Sequence, residues 1–261
     1  MTPSATSRGL LGGLATLGLA FGMIMTSTPA DAAAWPTPNG SQPVSATISV
    51  SGTKDYGMKR LYGIGDLGTG GQNEDQDPLL ELAPGAVLKN VVIGSPAADG
   101  IHCLGSCTLQ NVWWEDVGED AATFLGSSSS NVYTVTGGGA KEADDKVFQF
   151  NGAGTLDVSG FAVKNFGKLV RSCGNCRTQY KRTINIDNIE ATYKGTALVG
   201  INTNYGDSAT LRNITVVGDS SHKIVPCQKY IGNNTGKEPS KNGSGPDGTY
   251  CRYSGSDITY K

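Results

Sequence analysis

Histidine is nearly absent from this chain: His102 and His222 are the only two in 261 residues. A histidine-rich metal centre is therefore excluded, and no Ser-His-Asp arrangement is evident. Charge of one sign is not in excess either. The 21 Lys and Arg stand against 23 Asp and Glu, a net charge of −2. That balance gives no reason to expect nucleic acid as a partner, so affinity for an anion must come from local placement of Lys and Arg. Beyond Met25 no apolar run is long enough to span a bilayer, which removes a membrane partner. Helical periodicity is missing too, and with it leucine-rich and ankyrin repeats.

The first residues read as a targeting segment rather than as fold. Arg8 precedes an apolar run from Leu10 to Met25, and Ala30-Asp31-Ala32 supplies a small-residue cleavage pattern. This predicts a secretory signal peptide over residues 1–32 and a single domain over 33–261. Removing it takes one Arg and one Asp, so the net charge is unchanged. Six cysteines in a secreted chain point to disulfides, with fifteen possible connectivities. Local pairing, 103–107, 173–176 and 227–251, is the simplest. The spacing of "CGNC" could serve zinc, but its second pair lies far off and no histidine cluster joins it.

What the chain does have is 37 glycines and a short apolar pattern that ends in Asn. It recurs at Asn90, Asn111, Asn131, Asn188 and Asn213, with Gly160 standing in once. Each unit is one short β-branched strand followed by turn residues. Repeats of twenty-odd residues built from single strands predict a solenoid, here an all-β, right-handed parallel β-helix. A β-sandwich is the alternative. Inward Asn side chains stacked at one corner, bonding neighbouring backbone, would explain the recurrence. Residues 33–60 and 220–261 are expected to cap the two ends.

Charged residues recur at the same interval. Asp99 is followed 20 and 21 residues later by Glu119 and Asp120, then by Lys146, Lys168 and Arg171. On a solenoid these fall on one face of successive coils, acids at one end and bases at the other. Oxygen donors from adjacent coils would form the partial shell of a calcium site. The stretch "EDVGEDAATF" crowds Glu115, Asp116, Glu119 and Asp120 into six positions. Asp99, Glu119 and Asp120 are assigned to the metal, and Glu115 and Asp116 to solvent. Lys141 is also expected in solvent, and His102 as a packed structural residue. Of Trp113 and Trp114, at most one can stack on a sugar, because consecutive strand residues face opposite ways.

The motifs "ADGIHC", "WWEDVGEDA", "DKVFQ" and "RSCGNC", in this order, resemble the pectate lyases of polysaccharide lyase family 3. The likeness runs from about Met58 to the C-terminus. It implies a secreted, calcium-dependent β-helix enzyme that cleaves polygalacturonate, an acidic polysaccharide, by β-elimination. By that resemblance Asp99, Glu119 and Asp120 are the Ca2+ ligands, and Lys146, Lys168 and Arg171 the basic catalytic and substrate-binding set. Glu74 matches a site glutamate, beside Asp75 and Asp77. Phe150 stands where the family usually has His, and Val170 where it often has an aromatic; both are expected to alter substrate packing. A monomer is expected.

The chemistry follows from the substrate. Its C5 proton is α to a carboxylate, and a cation on that carboxylate stabilises the charge left when the proton goes. Arg171 matches the base by resemblance. Lys146 is the physically easier base, since Lys168, Arg171 and an ion would lower its pKa. Either base predicts an alkaline optimum. Two other functions remain open at this level, a polygalacturonase-type hydrolase using two of the carboxylates, and a non-catalytic pectin-binding β-helix protein.

Overall fold

A computed structural model describes residues 1–2 and 34–261. The predicted signal peptide and its cleavage site lie outside the described residues. Apart from three short 3-10 turns, the regular elements among residues 34–261 are strands. In chain order they are β1 (Ser41–Val44), β2 (Ile48–Val50), β3 (Thr53–Gly63), β4 (Leu80–Leu82), β5 (Ala86–Ile93), β6 (Ile101–Cys103), β7 (Cys107–Trp114) and β8 (Asp120–Phe124). Then follow β9 (Val132–Phe150), β10 (Gly154–Ser172), β11 (Arg182–Asn202), β12 (Ser208–Val217), β13 (Val225–Ile231), β14 (Ser240–Ser244), β15 (Cys251–Arg252) and β16 (Ile258–Tyr260). All pairings among them are parallel except that of β13 with β14. Parallel pairing of each strand with the one a coil later defines a parallel β-helix, not a sandwich.

Three faces can be traced through the register. The first stacks Leu88, Leu109, Val135, Val158, Ile186 and Leu211 as direct partners. All six are buried, and each such side chain contributes roughly 1.5–3 kcal/mol by leaving water. The second face carries Ile93, Trp114, Ala140, Val163, Ala191 and Val216 inward. The third stacks Leu80, Ile101, Ala122, Phe148, Val170, Val199 and Cys227. Its outward row, one position on, is Glu81, His102, Thr123, Gln149, Arg171, Gly200 and Gln228. This third face carries the functional side chains.

The recurring Asn is a corner residue, but not for the expected reason. Asn90, Asn111, Asn188 and Asn213 all have φ between 51° and 57°. That left-handed conformation is costly for side chains other than Asn and Asp, and free for Gly. It turns the chain from the first face to the second. The side chains are half-buried or exposed rather than inward, and those of Asn90, Asn111 and Asn213 donate to other side chains rather than to backbone. The Asn111 amide donates to Asn90 Oδ1 at 2.8 Å, and Asn90 donates to Asp55. Asn131 is not in this column; it lies before β9 and bonds the Tyr133 hydroxyl. The corner of that coil is Gly137, and that of the next is Gly160. The run Gly137–Gly139 is thus a corner within a coil. At Gly138 φ is 90°, and a Cβ would sit 2.0 Å from the Val112 carbonyl oxygen. Gly138→Ala is expected to destabilise by about 2–4 kcal/mol in denaturant melts.

The ends are not separate caps. β1, β2 and the start of β3 form the first rungs, and β13, β15 and β16 continue the three faces at the far end. Disulfides join Cys103 to Cys107, Cys173 to Cys176 and Cys227 to Cys251. Phe150 and Val170 both point inward and are buried in the core, so neither touches a substrate groove. Phe150 packs edge-on against Phe124 and Tyr133.

Candidate active site

The register explains why distant charges meet. Asp120 on β8 is the direct partner of Lys146 on β9, and Lys146 of Lys168 on β10. Rungs of a sheet lie about 4.8 Å apart, so the three side chains rise from one column. Asp99 precedes β6 and Glu119 precedes β8, which brings them to the same corner of adjacent coils. Gly118 makes that corner possible, since a Cβ there would sit 2.0 Å from the Ala98 carbonyl oxygen.

Asp99, Glu119 and Asp120 each place one carboxylate oxygen within 4.8 Å of the others, and all three are buried. Desolvation, opposed by Lys146 and reinforced by Glu119, pushes the Asp120 carboxyl well above the usual carboxylate range. Two oxygens of the cluster, Asp99 Oδ1 and Asp120 Oδ1, are buried without a hydrogen-bond partner. A buried acceptor without a donor is costly. Three hard oxygen donors with two unsatisfied atoms fit a hard cation such as Ca2+.

Glu115 and Asp116 lie apart from this nest. Asp116 is exposed, as expected. Glu115 is not simply solvated: it accepts a bond from Arg60 Nε at 2.7 Å. The crowding is thus relieved by the chain turning, with two carboxylates on one side and two on the other.

Lys146 sits over the acidic cluster. Its Nζ is 3.1 Å from Glu119, 3.6 Å from Asp120, 3.0 Å from Asp145 and 3.9 Å from Glu74. Burial alone would lower its pKa, but the Asp120, Asp145 and Glu119 carboxylates outweigh it and the pKa is raised. This corrects the expectation that Lys168 and Arg171 would depress it. Lys168 instead faces Asp145, at 2.6 Å. Asp145 bridges both lysines; burial is overcome by Lys168 and Lys146, and its carboxyl is lowered. The sequence offered only adjacency to Lys146 as a sign of that role.

Arg171 is buried on the same strand as Lys168, three residues on. Its Nη1 donates to the Ser172 carbonyl at 2.5 Å, the Gly200 carbonyl at 3.3 Å and Asn202 Oδ1 at 3.2 Å. Burial lowers its pKa, though Tyr230 and Asp207 oppose the shift. Glu74 comes from an exposed loop anchored by Gln72, whose amide donates to the Gly118 carbonyl. Desolvation and the Glu119 charge push the Glu74 carboxyl up.

Three other expectations change. His102 is packed, but its Nε2 lies 2.7 Å from Asp99 Oδ2, so it orients a cluster carboxylate. Lys141 stacks over Trp35 at 3.8 Å instead of pointing into water. Trp114 is core, as one of the pair had to be; Trp113 faces outward on the second face, where Trp35 covers it edge-on. Neither tryptophan lies on the face of the carboxylates.

Fold and site together define a parallel β-helix enzyme. The pectate lyase family profile matches residues 32–237. Pectate lyase E of Emericella nidulans is 48% identical over 222 residues, spanning 84% of this chain and 84% of that protein. The catalytic domain of pectate lyase PelI from Erwinia chrysanthemi superposes with a TM-score of 0.72 at 32% identity, over 85% of this chain and 100% of that one. PelI in complex with tetragalacturonic acid superposes with a TM-score of 0.69 at 32% identity, over 84% and 70%. The chain belongs to the pectate lyase family, consistent with polysaccharide lyase family 3, and is a pectate lyase.

Proposed function

We propose that this pectate lyase is a secreted, monomeric, calcium-dependent enzyme that cleaves polygalacturonate by β-elimination. The observation that carries the reading is the pair of unsatisfied buried oxygens, Asp99 Oδ1 and Asp120 Oδ1, beside the paired Lys146 and Lys168, with Arg171 three residues beyond Lys168 on β10. Secretion is supported by the N-terminal pattern and by three disulfides. The relative PelI takes tetragalacturonic acid, a short polymer of the proposed substrate sugar.

Asp99, Glu119 and Asp120 would hold Ca2+, with Glu74 close by. When bound, the ion neutralises the uronate carboxylate and stabilises the charge that builds at C5. Lys146 and Lys168 are ammonium groups already facing carboxylates, so they pair with those of the polymer. Arg171 is the base: neutral oxygens occupy Nη1, and burial weakens the guanidinium's hold on its proton. In its neutral form it accepts the C5 proton, the C4–O bond breaks, and the leaving oxygen takes a proton from solvent, to which Arg171 then releases the one it took. The new chain end carries a C4=C5 double bond, and no water is consumed. The acids nest around one point rather than facing each other across a bond, which disfavours hydrolysis by a carboxylate pair.

The test is the ultraviolet absorbance of the conjugated product on polygalacturonate. Absorbance is expected to rise with added Ca2+, to vanish with EDTA, and to grow toward alkaline pH. New reducing ends without absorbance would overturn the elimination. His102→Ala should weaken calcium about 10- to 100-fold by releasing Asp99 from its orienting partner; calorimetric titration reads the change.

A further inference from the structure

Arg171 lies in a slot that four separate stretches of chain build. Its floor is Gly200 on β11, the direct strand partner of Arg171. A Cβ on Gly200 would sit 2.9 Å from Arg171 Cδ and 3.1 Å from Tyr230 Cε2. The Tyr230 ring, on β13, lies with its centroid 4.0 Å from the guanidinium carbon and is itself 6% exposed. At the tip, a Cβ on Gly174 would meet Arg171 Nη2 at 2.4 Å and Pro239 Cγ at 2.2 Å. Asn202 accepts from Nη1 and is oriented in turn, its amide donating to the Cys173 carbonyl at 3.0 Å. The Cys227–Cys251 disulfide ties down β13 three residues before Tyr230.

An arginine side chain has four soft torsions and does not lie flat unaided. An aromatic face attracts a guanidinium and sheds water from it. A missing side chain beneath it gives the room to lie down. We propose that Tyr230 and Gly200 are positioning residues for the elimination, holding the Arg171 guanidinium flat and dry at the edge of the third face. Neither belongs to the acid–base column, and neither sits in a motif shared with Arg171. The proposal rests on Arg171 acting as the base.

The experiment compares Tyr230→Ala, Gly200→Ala, Tyr230→Phe and Arg171→Ala in the full chain with saturating Ca2+ and polygalacturonate. Tyr230→Ala removes the ring, whereas Gly200→Ala keeps it but crowds both the ring and the Arg171 side chain from below. Both are expected to lower kcat roughly 100-fold at little-changed KM, the cost of misplacing a reacting group by about 1 Å. Both should also shift the rising limb of the kcat profile, since the burial of the guanidinium sets the pH at which it gives up its proton. Tyr230→Phe keeps the face and should keep kcat and the profile. If Tyr230→Ala does not fold, Gly200→Ala alone decides. Full kcat in the decisive variants, or a lower kcat with an unmoved pH profile, would overturn the proposal while leaving Arg171 as base. Activity in Arg171→Ala would remove the base assignment itself, and the positioning role with it.

Discussion

Replacing Asp120 with Asn is expected to lower kcat/KM by at least about 1000-fold, the scale on which charge stabilisation operates in a closed site. It should also make the calcium-free protein melt at a higher temperature. Both effects have one cause. Asp120 is buried beside Asp99 and Glu119, and desolvation holds its carboxyl well above the ordinary value, although Lys146 opposes this. A carboxyl raised in the folded state keeps a proton that the unfolded chain has released. Between its ordinary and raised values the folded state therefore binds more protons, and stability falls as pH rises through that window. Above it, the folded protein carries a buried charge that Lys146, 3.6 Å away, only partly offsets, since Asp120 Oδ1 has no hydrogen-bond donor. Asn removes that charge. Bound calcium would offset the cost in the wild type: at 100 times its Kd a ligand adds about 2.7 kcal/mol of stability. Thermal melts of both proteins with EDTA and with excess Ca2+ read both terms. The wild type should gain from calcium and the variant should not.

Arg171→Lys is expected to lose about 100- to 10,000-fold in kcat, the range supplied by a positioned base, with KM little altered. A lysine ammonium is a compact point charge without the planar fork. Its three N–H groups can serve the oxygens that Nη1 serves, but it has no planar guanidinium to stack on Tyr230 and no second nitrogen to take the proton. By contrast Lys146→Ala should raise KM as well as lower kcat, since Lys146 faces Glu119, Asp120 and Asp145 and would meet the polymer's carboxylates. The split between kcat and KM in steady-state assays separates the two roles. Equal losses in both constants for both variants would argue against it.

The solenoid was legible because its corners demand one backbone conformation, and few residues accept it. Asn recurs at 90, 111, 188 and 213 for that reason, and Gly replaces it at 137 and 160. Asn131 misled because any Asn before a strand fits so short a pattern. Asp99, Glu119, Asp120, Lys146, Lys168 and Arg171 could be aligned from spacing alone, since a coil of fixed circuit returns side chains to one face. Other contacts depend on where a side chain bends after leaving the rung. Asp145 turning back between two lysines, His102 reaching Asp99 and Lys141 lying on Trp35 are of this kind. Tyr230 lies 59 residues from Arg171 in a stretch with no repeat signal, so only the register of β13 on β11 reveals it. The Phe150 and Val170 departures are expected from sequence to alter substrate packing because they adjoin the motifs that hold Lys146 and Arg171. Strand alternation turns both into the core.

The most direct measurement is an anomalous-scattering map of crystals grown with Ca2+. The account predicts a peak bounded by Asp99, Glu119 and Asp120, with carboxylate oxygens at about 2.3–2.6 Å, and the Lys146 ammonium displaced from Glu119. A map without a peak at saturating calcium, or with one held elsewhere, would contradict it.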